Sequence, residues 1–175
     1  MMRRTGRYNN WRDTDLPCTV VELPYKDDAS MIIAMAEPGK IHELERGMSA
    51  ETVQRWRTSW RKTTIELFVP KFNITSKINL VDELPKVGIR TPFTDDADFC
   101  GITPDLRLKV KTAVHQAVIN VDEKGTVAAA ATGIGMIAMS LTPSIHINNP
   151  FVFLIVEKKT NIVLFMGTVI NPTEE

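Results

Sequence analysis

Val114-His-Gln-Ala-Val-Ile-Asn-Val-Asp-Glu-Lys-Gly125-Thr-Val-Ala-Ala-Ala-Ala-Thr132 passes from alternating apolar and polar residues into a patch of small ones, and Gly133-Ile-Gly-Met-Ile-Ala-Met-Ser140 continues it without a charge. Four consecutive alanines favour a helix by propensity, whereas the flanking glycines favour a mobile loop. Composition alone leaves both open. Upstream, Leu106, Leu108 and Val110, then Val114, Val118 and Val121, alternate with polar residues. That pattern predicts one long strand over 106–121 with a phase shift inside it.

Further out, the signals are sheet-like at both ends. Phe151-Val-Phe-Leu-Ile-Val156, a Glu-Lys-Lys-Thr-Asn turn and Ile162-Val-Leu-Phe-Met-Gly-Thr-Val-Ile170 read as a hairpin buried on both faces. Residues 18–25 and 30–36 form a second hairpin around Lys26-Asp27-Asp28-Ala29. After Pro38-Gly39, Ile41 and Leu44 suggest a short helix, and Ser49 caps a second one whose Val53, Trp56 and Trp60 face the core. Residues 64–74 return to a strand, with Ile65, Leu67 and Val69 on one face before Pro70. Residues 80–99 are irregular except for a helical stretch near Val81–Gly88.

At 175 residues and 43% apolar composition the chain can bury a sizeable core. Lys plus Arg equals Asp plus Glu at 21 each, so no net field draws it to nucleic acid or an anionic membrane. Its apolar runs are far shorter than the ~20 residues of a membrane-spanning helix, and nothing at the start reads as a signal peptide. Neither nucleic acid nor membrane is expected as a partner. Cys18 and Cys100 lack metal-ligand spacing and read as two buried or half-buried free thiols. No metal and no cofactor is expected. Asn73-Ile74-Thr75 matches the N-glycosylation acceptor pattern and so points to secretion.

The segment 114–132 resembles the last strand before the reactive loop of serpins, with the small-residue hinge of inhibitory members, most like the antitrypsin and antichymotrypsin group. Asn148-Asn-Pro-Phe-Val-Phe-Leu-Ile155 and Leu164-Phe-Met-Gly-Thr-Val-Ile-Asn-Pro172 resemble the two closing strands of that family. Leu67-Phe-Val-Pro-Lys71-Phe and Ala97-Asp98-Phe-Cys-Gly-Ile102 keep the family's order and spacing. The resemblance covers essentially the whole chain and implies an α+β fold, mostly antiparallel sheet with a few short helices and an exposed reactive loop. It implies one partial domain over 1–175: a sheet and helix body over 1–124, the reactive loop and following strand over 125–147, and a C-terminal hairpin over 148–175. The family's N-terminal half would be absent, so the chain reads as a fragment.

The resemblance also implies an activity: no enzyme, but a serine protease inhibitor that acts as a suicide substrate and inserts its cleaved loop as a strand. Insertion sends alternate side chains into a packed layer, and from Gly125 those are Thr126, Ala128, Ala130 and Thr132, all small. Val127 departs from the family, where an acidic residue is common. It shares the opposite face with Ala129 and Ala131, so little penalty is expected. The family's loop length places the cleaved bond at Met139-Ser140, with Met136 or Ile137 as the bait if the register slips. A thioether suits an apolar specificity pocket, which makes elastase-like or chymotrypsin-like proteases the expected targets.

His115 is expected to hydrogen-bond where the sheet opens, and Lys71 and Glu123 to form an ion pair at its top. In some relatives the second helix meets heparin-like glycosaminoglycan, for which Arg55, Arg57, Arg61 and Lys62 are the basic candidates. Two alternatives stand beside inhibition: a non-inhibitory serpin that carries a small hydrophobic ligand or hormone, and an inactive truncated product. The expected location is extracellular.

Overall fold

A computed structural model describes residues 1–103, 107–123 and 142–172 of the protein. They fall into two compact units, one built from Met1–Phe72 with the described residues from Asn120 on, the other from Asn73–Ile119.

The first unit is a seven-stranded sheet. In chain order its strands are β1 (Met2–Asp13), β2 (Cys18–Pro24), β3 (Ala29–Ala36), β4 (Arg61–Val69), β7 (Ser144–His146), β8 (Phe151–Glu157) and β9 (Val163–Val169), in spatial order β7-β4-β1-β2-β3-β8-β9. All neighbours are antiparallel except β4 and β7. The three adjacent strands β2, β3 and β8 are buried almost throughout, which is why they read as continuous apolar runs rather than alternating ones.

Register then sorts their side chains. Val20 pairs with Ala34 and Ala34 with Val152, while Ile32 pairs with Leu154, and these form one apolar face. Helices α1 (Ile41–Arg46) and α2 (Ala50–Ser59) bring Ile41, Leu44, Val53 and Trp56 onto it. On the opposite face Phe72 meets Phe151 edge-on at 5.5 Å and Phe153 at 5.7 Å. Gly167 of β9 faces the same cluster, where an added Cβ would come within 2.8 Å of the Phe153 ring.

Ser49 caps α2 as its sequence suggests, its hydroxyl accepting from the Thr52 N–H at 3.2 Å. Trp56 is fully buried, and its indole N–H donates to the buried carboxylate of Asp13 at 2.6 Å. Arg55 donates to the same oxygen at 2.6 Å, and the backbone N–H groups of Asp15 and Leu16 reach the other oxygen at 3.0 and 3.3 Å. Burial opposes ionisation of Asp13, but these four donors outweigh it and hold the carboxyl below its ordinary value. Trp60 leaves the expected stripe: it sits just past the helix in an extended conformation, half-buried against the same core.

The second unit pairs β5 (Phe72–Asn79) with β6 (Val114–Val121), strands whose bounds just cross the division between units. A short helix, α3 (Leu80–Glu83), runs into a 3-10 turn over Leu84–Val87, matching the helical stretch expected near Val81–Gly88.

Four expectations need correction. The long strand over 106–121 is a strand only from Val114, after the phase shift; before it, Val110 donates its N–H to Pro92 at 2.8 Å and so follows a loop rather than a ladder. The C-terminal hairpin is buried on both faces only in β8, because β9 is an edge strand in the described sheet and Leu164, Phe165 and Met166 are exposed. Arg61 and Lys62 lie on β4 rather than on the second helix. Both cysteines are free, but only Cys18 is buried, with its thiol pushed up to about 12 chiefly by burial; Cys100 is exposed.

The Asp13 arrangement generates a stability test. Asp13→Ala orphans the buried indole N–H, so urea unfolding should show a loss of about 2–4 kcal/mol. Because the folded-state pKa of Asp13 is lowered, its contribution is present above the ordinary carboxylate value and is lost as pH falls through the folded value. Asp13→Asn should therefore flatten the acid limb of stability below about pH 4.

Candidate functional site

Residues Gly125 to Thr132, Met136, Ile137, Met139 and Ser140 lie outside the described residues. Their two flanks are described. On the entry side Glu123 follows β6 and pairs with Lys71 at 2.6 Å, each side chain more than half exposed. That hydrogen bond, helped by the Glu123 backbone N–H, holds the Glu123 carboxyl below its usual range. An exposed pair of this kind orients more than it stabilises.

On the exit side the chain is fixed along β4. The Glu66 N–H donates to Pro143 at 2.9 Å, Ser144 lies opposite Glu66, His146 lies opposite Phe68, and the Ile147 N–H returns to Phe68 at 2.9 Å. The Phe68 and His146 rings stack, with centroids 4.0 Å apart and planes 8° from parallel. Arg3 lies 5.9 Å from the Phe68 ring centroid and also pairs with Glu66. Neither ring has a signal in the sequence, since they are separated by 78 positions and meet only through strand pairing.

His115 is exposed on β6, and no hydrogen bond of its ring is seen among the described residues. Asn73 is exposed near the start of β5. The basic residues do not form one face. Arg55 is committed to Asp13 at 2.6 Å and Asp15 at 3.0 Å, Arg57 donates to the Lys158 carbonyl at 3.3 Å, and Arg61 and Lys62 are exposed on β4. The sequence reading also missed a cavity of about 730 Å³ between α2 and the β8–β9 hairpin, walled by Met48, Val53, Leu154, Val163 and Met166, with Arg57 and Lys158 beside them. Among the described residues no group of three His, Cys, Asp or Glu is placed to hold a metal ion, and no helix is long and apolar enough to cross a membrane.

A family profile described as serpin (serine protease inhibitor) matches residues 1–172. The chain belongs to the serpin family. An alpha-1-antitrypsin homolog of Cyprinus carpio is 44% identical over 99% of this chain and 47% of its own length. Serpin A9 of Mus musculus is 41% identical over 98% of the chain and 42% of its own. The solved structure of human thyroxine-binding globulin with its ligand superposes with a TM-score of 0.88 at 37% identity, covering 99% of this chain and 46% of that one. The α+β serpin fold is thus established, and the chain spans about half the length of the curated relatives it matches. Several of those relatives are named serine protease inhibitors.

The exit anchor can be tested directly. An aromatic pair contributes about 0.5–1.5 kcal/mol, so His146→Ala should speed amide exchange at Ile147 by roughly two- to tenfold while exchange in β3 is unchanged. Equal protection in both proteins would remove the stack from the anchor.

Proposed function

We propose that this chain carries the reactive loop of a secreted serpin that traps elastase-like or chymotrypsin-like serine proteases through cleavage at Met139-Ser140. The observation that carries the reading is the pairing of a small-residue segment, Gly125 to Thr132, with flanks held on either side by Lys71–Glu123 and by β7 against β4. Such a segment meets the steric demand of strand insertion, because Thr126, Ala128, Ala130 and Thr132 add little volume to a packed layer. Met139 supplies the apolar bait. The protease serine oxygen attacks the Met139 carbonyl, the bond to Ser140 breaks, and the amine of Ser140 leaves with the proton. Insertion then has to outrun hydrolysis of the ester.

In this reading His115 lies where the sheet opens to accept the loop, Asn73 carries a glycan, and heparin-like glycosaminoglycan meets Arg57, Arg61 and Lys62, with Arg55 left to its carboxylates. The one-domain division, with a body over 1–124, loop over 125–147 and hairpin over 148–175, belongs to the same proposal.

A second reading, carriage of a small hydrophobic ligand, is favoured by the apolar cavity of about 730 Å³ and by the likeness to thyroxine-binding globulin. Equilibrium dialysis with thyroxine as the probe tests it. Saturable micromolar binding that Met166→Asp abolishes supports carriage, and absence of binding removes it.

The hinge separates trapping from mere cleavage. Thr126→Arg forces a charge into the packed layer at a cost of several kcal/mol, so that variant should be cut as a substrate while the protease turns over. Val127→Glu, on the opposite face, should leave trapping within about twofold. The readout is the fraction of protease held in an SDS-resistant band, and equal loss in both variants contradicts the insertion register.

A further inference from the structure

Two thioether sulfurs stand in the wall of the cavity of about 730 Å³, those of Met48 and Met166. Register places the second. Met166 of β9 lies opposite Leu154 of β8, and Leu154 belongs to the apolar face that Val53 and Trp56 of α2 cover, so Met166 shares that face. Thr168, two positions on, shares it too and donates its hydroxyl to Glu45 of α1 at 2.8 Å. Met48 enters from the link between α1 and α2, partly buried against the same core.

These two differ in chemistry from their apolar neighbours. Val53, Leu154 and Val163 offer only hydrocarbon to the cavity, whereas a thioether sulfur takes up oxygen from mild oxidants. Access selects between methionines as well. Met166 is 64% exposed and open to a dissolved oxidant, while Met31 in the core is 1% exposed and out of reach. One accessible side chain therefore combines a reactive sulfur with a place in the wall of an apolar cavity.

We propose that Met166, together with Met48, is an oxidation site that gates this cavity: a hydroperoxide closes it to apolar ligands, and reduction of the sulfoxide reopens it. The Met166 sulfur takes one oxygen atom from hydrogen peroxide; the O–O bond breaks as the S–O bond forms, water leaves, and the sulfur loses the two electrons that the peroxide gains. A flexible apolar side chain thereby becomes a polar one, whose S–O dipole holds water at the wall. An apolar ligand must strip that water without offering a hydrogen bond in return, which opposes its entry. The gate rests on the carriage reading, because a sulfoxide regulates only a cavity that something fills, and it is independent of trapping at Met139.

Equilibrium dialysis of the whole chain with thyroxine as the probe tests this, before hydrogen peroxide, after it, and again after methionine sulfoxide reductases, with peptide mapping to locate each sulfoxide. Peroxide should weaken binding about tenfold in step with sulfoxide at Met166, and the reductases should restore it. The double variant Met48→Leu, Met166→Leu is compared with itself: whatever its starting affinity, peroxide should change it less than about twofold. It keeps the exposed Cys100 and Met139, so a loss that arises at either would persist in it. No binding by the untreated chain removes carriage and the gate together. Binding that survives a mapped sulfoxide at Met166, or an equal peroxide loss in the double variant, overturns the gate and leaves carriage standing. So does a Met166 left unoxidised at a dose that oxidises Met1, which is 65% exposed.

Discussion

The carboxylate of Asp13 is the constraint on which the described body depends. It ends β1, yet it receives the indole N–H of Trp56 and the guanidinium of Arg55 from α2, while the backbone of the β1–β2 turn caps its other oxygen. One anion therefore fixes the turn, the helix and the sheet relative to each other. Trp56 fills the centre of the apolar face formed by Val20, Ile32, Ala34, Val152 and Leu154, and without a partner for its N–H that burial would carry a desolvation penalty. The cavity beside α2 takes its shape from where this interaction sets the helix.

The loop flanks follow the same logic on the other side of the sheet. β4 is held by β1 along nine register pairs, and β7 adds to the free side of β4. For the trapping proposed above, a rigid exit would let β7 stay in place on β4 while the cut segment changes partners. The entry at Glu123 is different in kind, an exposed ion pair that is easily exchanged for water.

What the sequence disclosed divides along the same physical line. Strands buried on both faces, β2, β3 and β8, were legible as apolar runs, and Ser49 announced α2. β1 was not: Met-Arg-Arg-Thr-Gly-Arg-Tyr-Asn-Asn-Trp-Arg-Asp has almost no apolar alternation, and it is a strand because β2 and β4 supply partners on both sides. β9 shows the converse error, since its apolar residues imitate a buried strand while the described sheet leaves them at its edge. Lys71 and Glu123, which the serpin resemblance brings together, pair at 2.6 Å across 52 positions of sequence. Nothing in the linear pattern joined Phe68 to His146, because that meeting is created by strand register.

If the chain traps as proposed, the bond after Met139 is the one a protease acylates and cannot release. Mass spectrometry of the product formed with chymotrypsin or elastase measures this most directly. Trapping requires an ester between the protease serine and the carbonyl of Met139, together with a peptide that begins at Ser140. A peptide beginning elsewhere, or complete turnover with free protease and no ester, would contradict it.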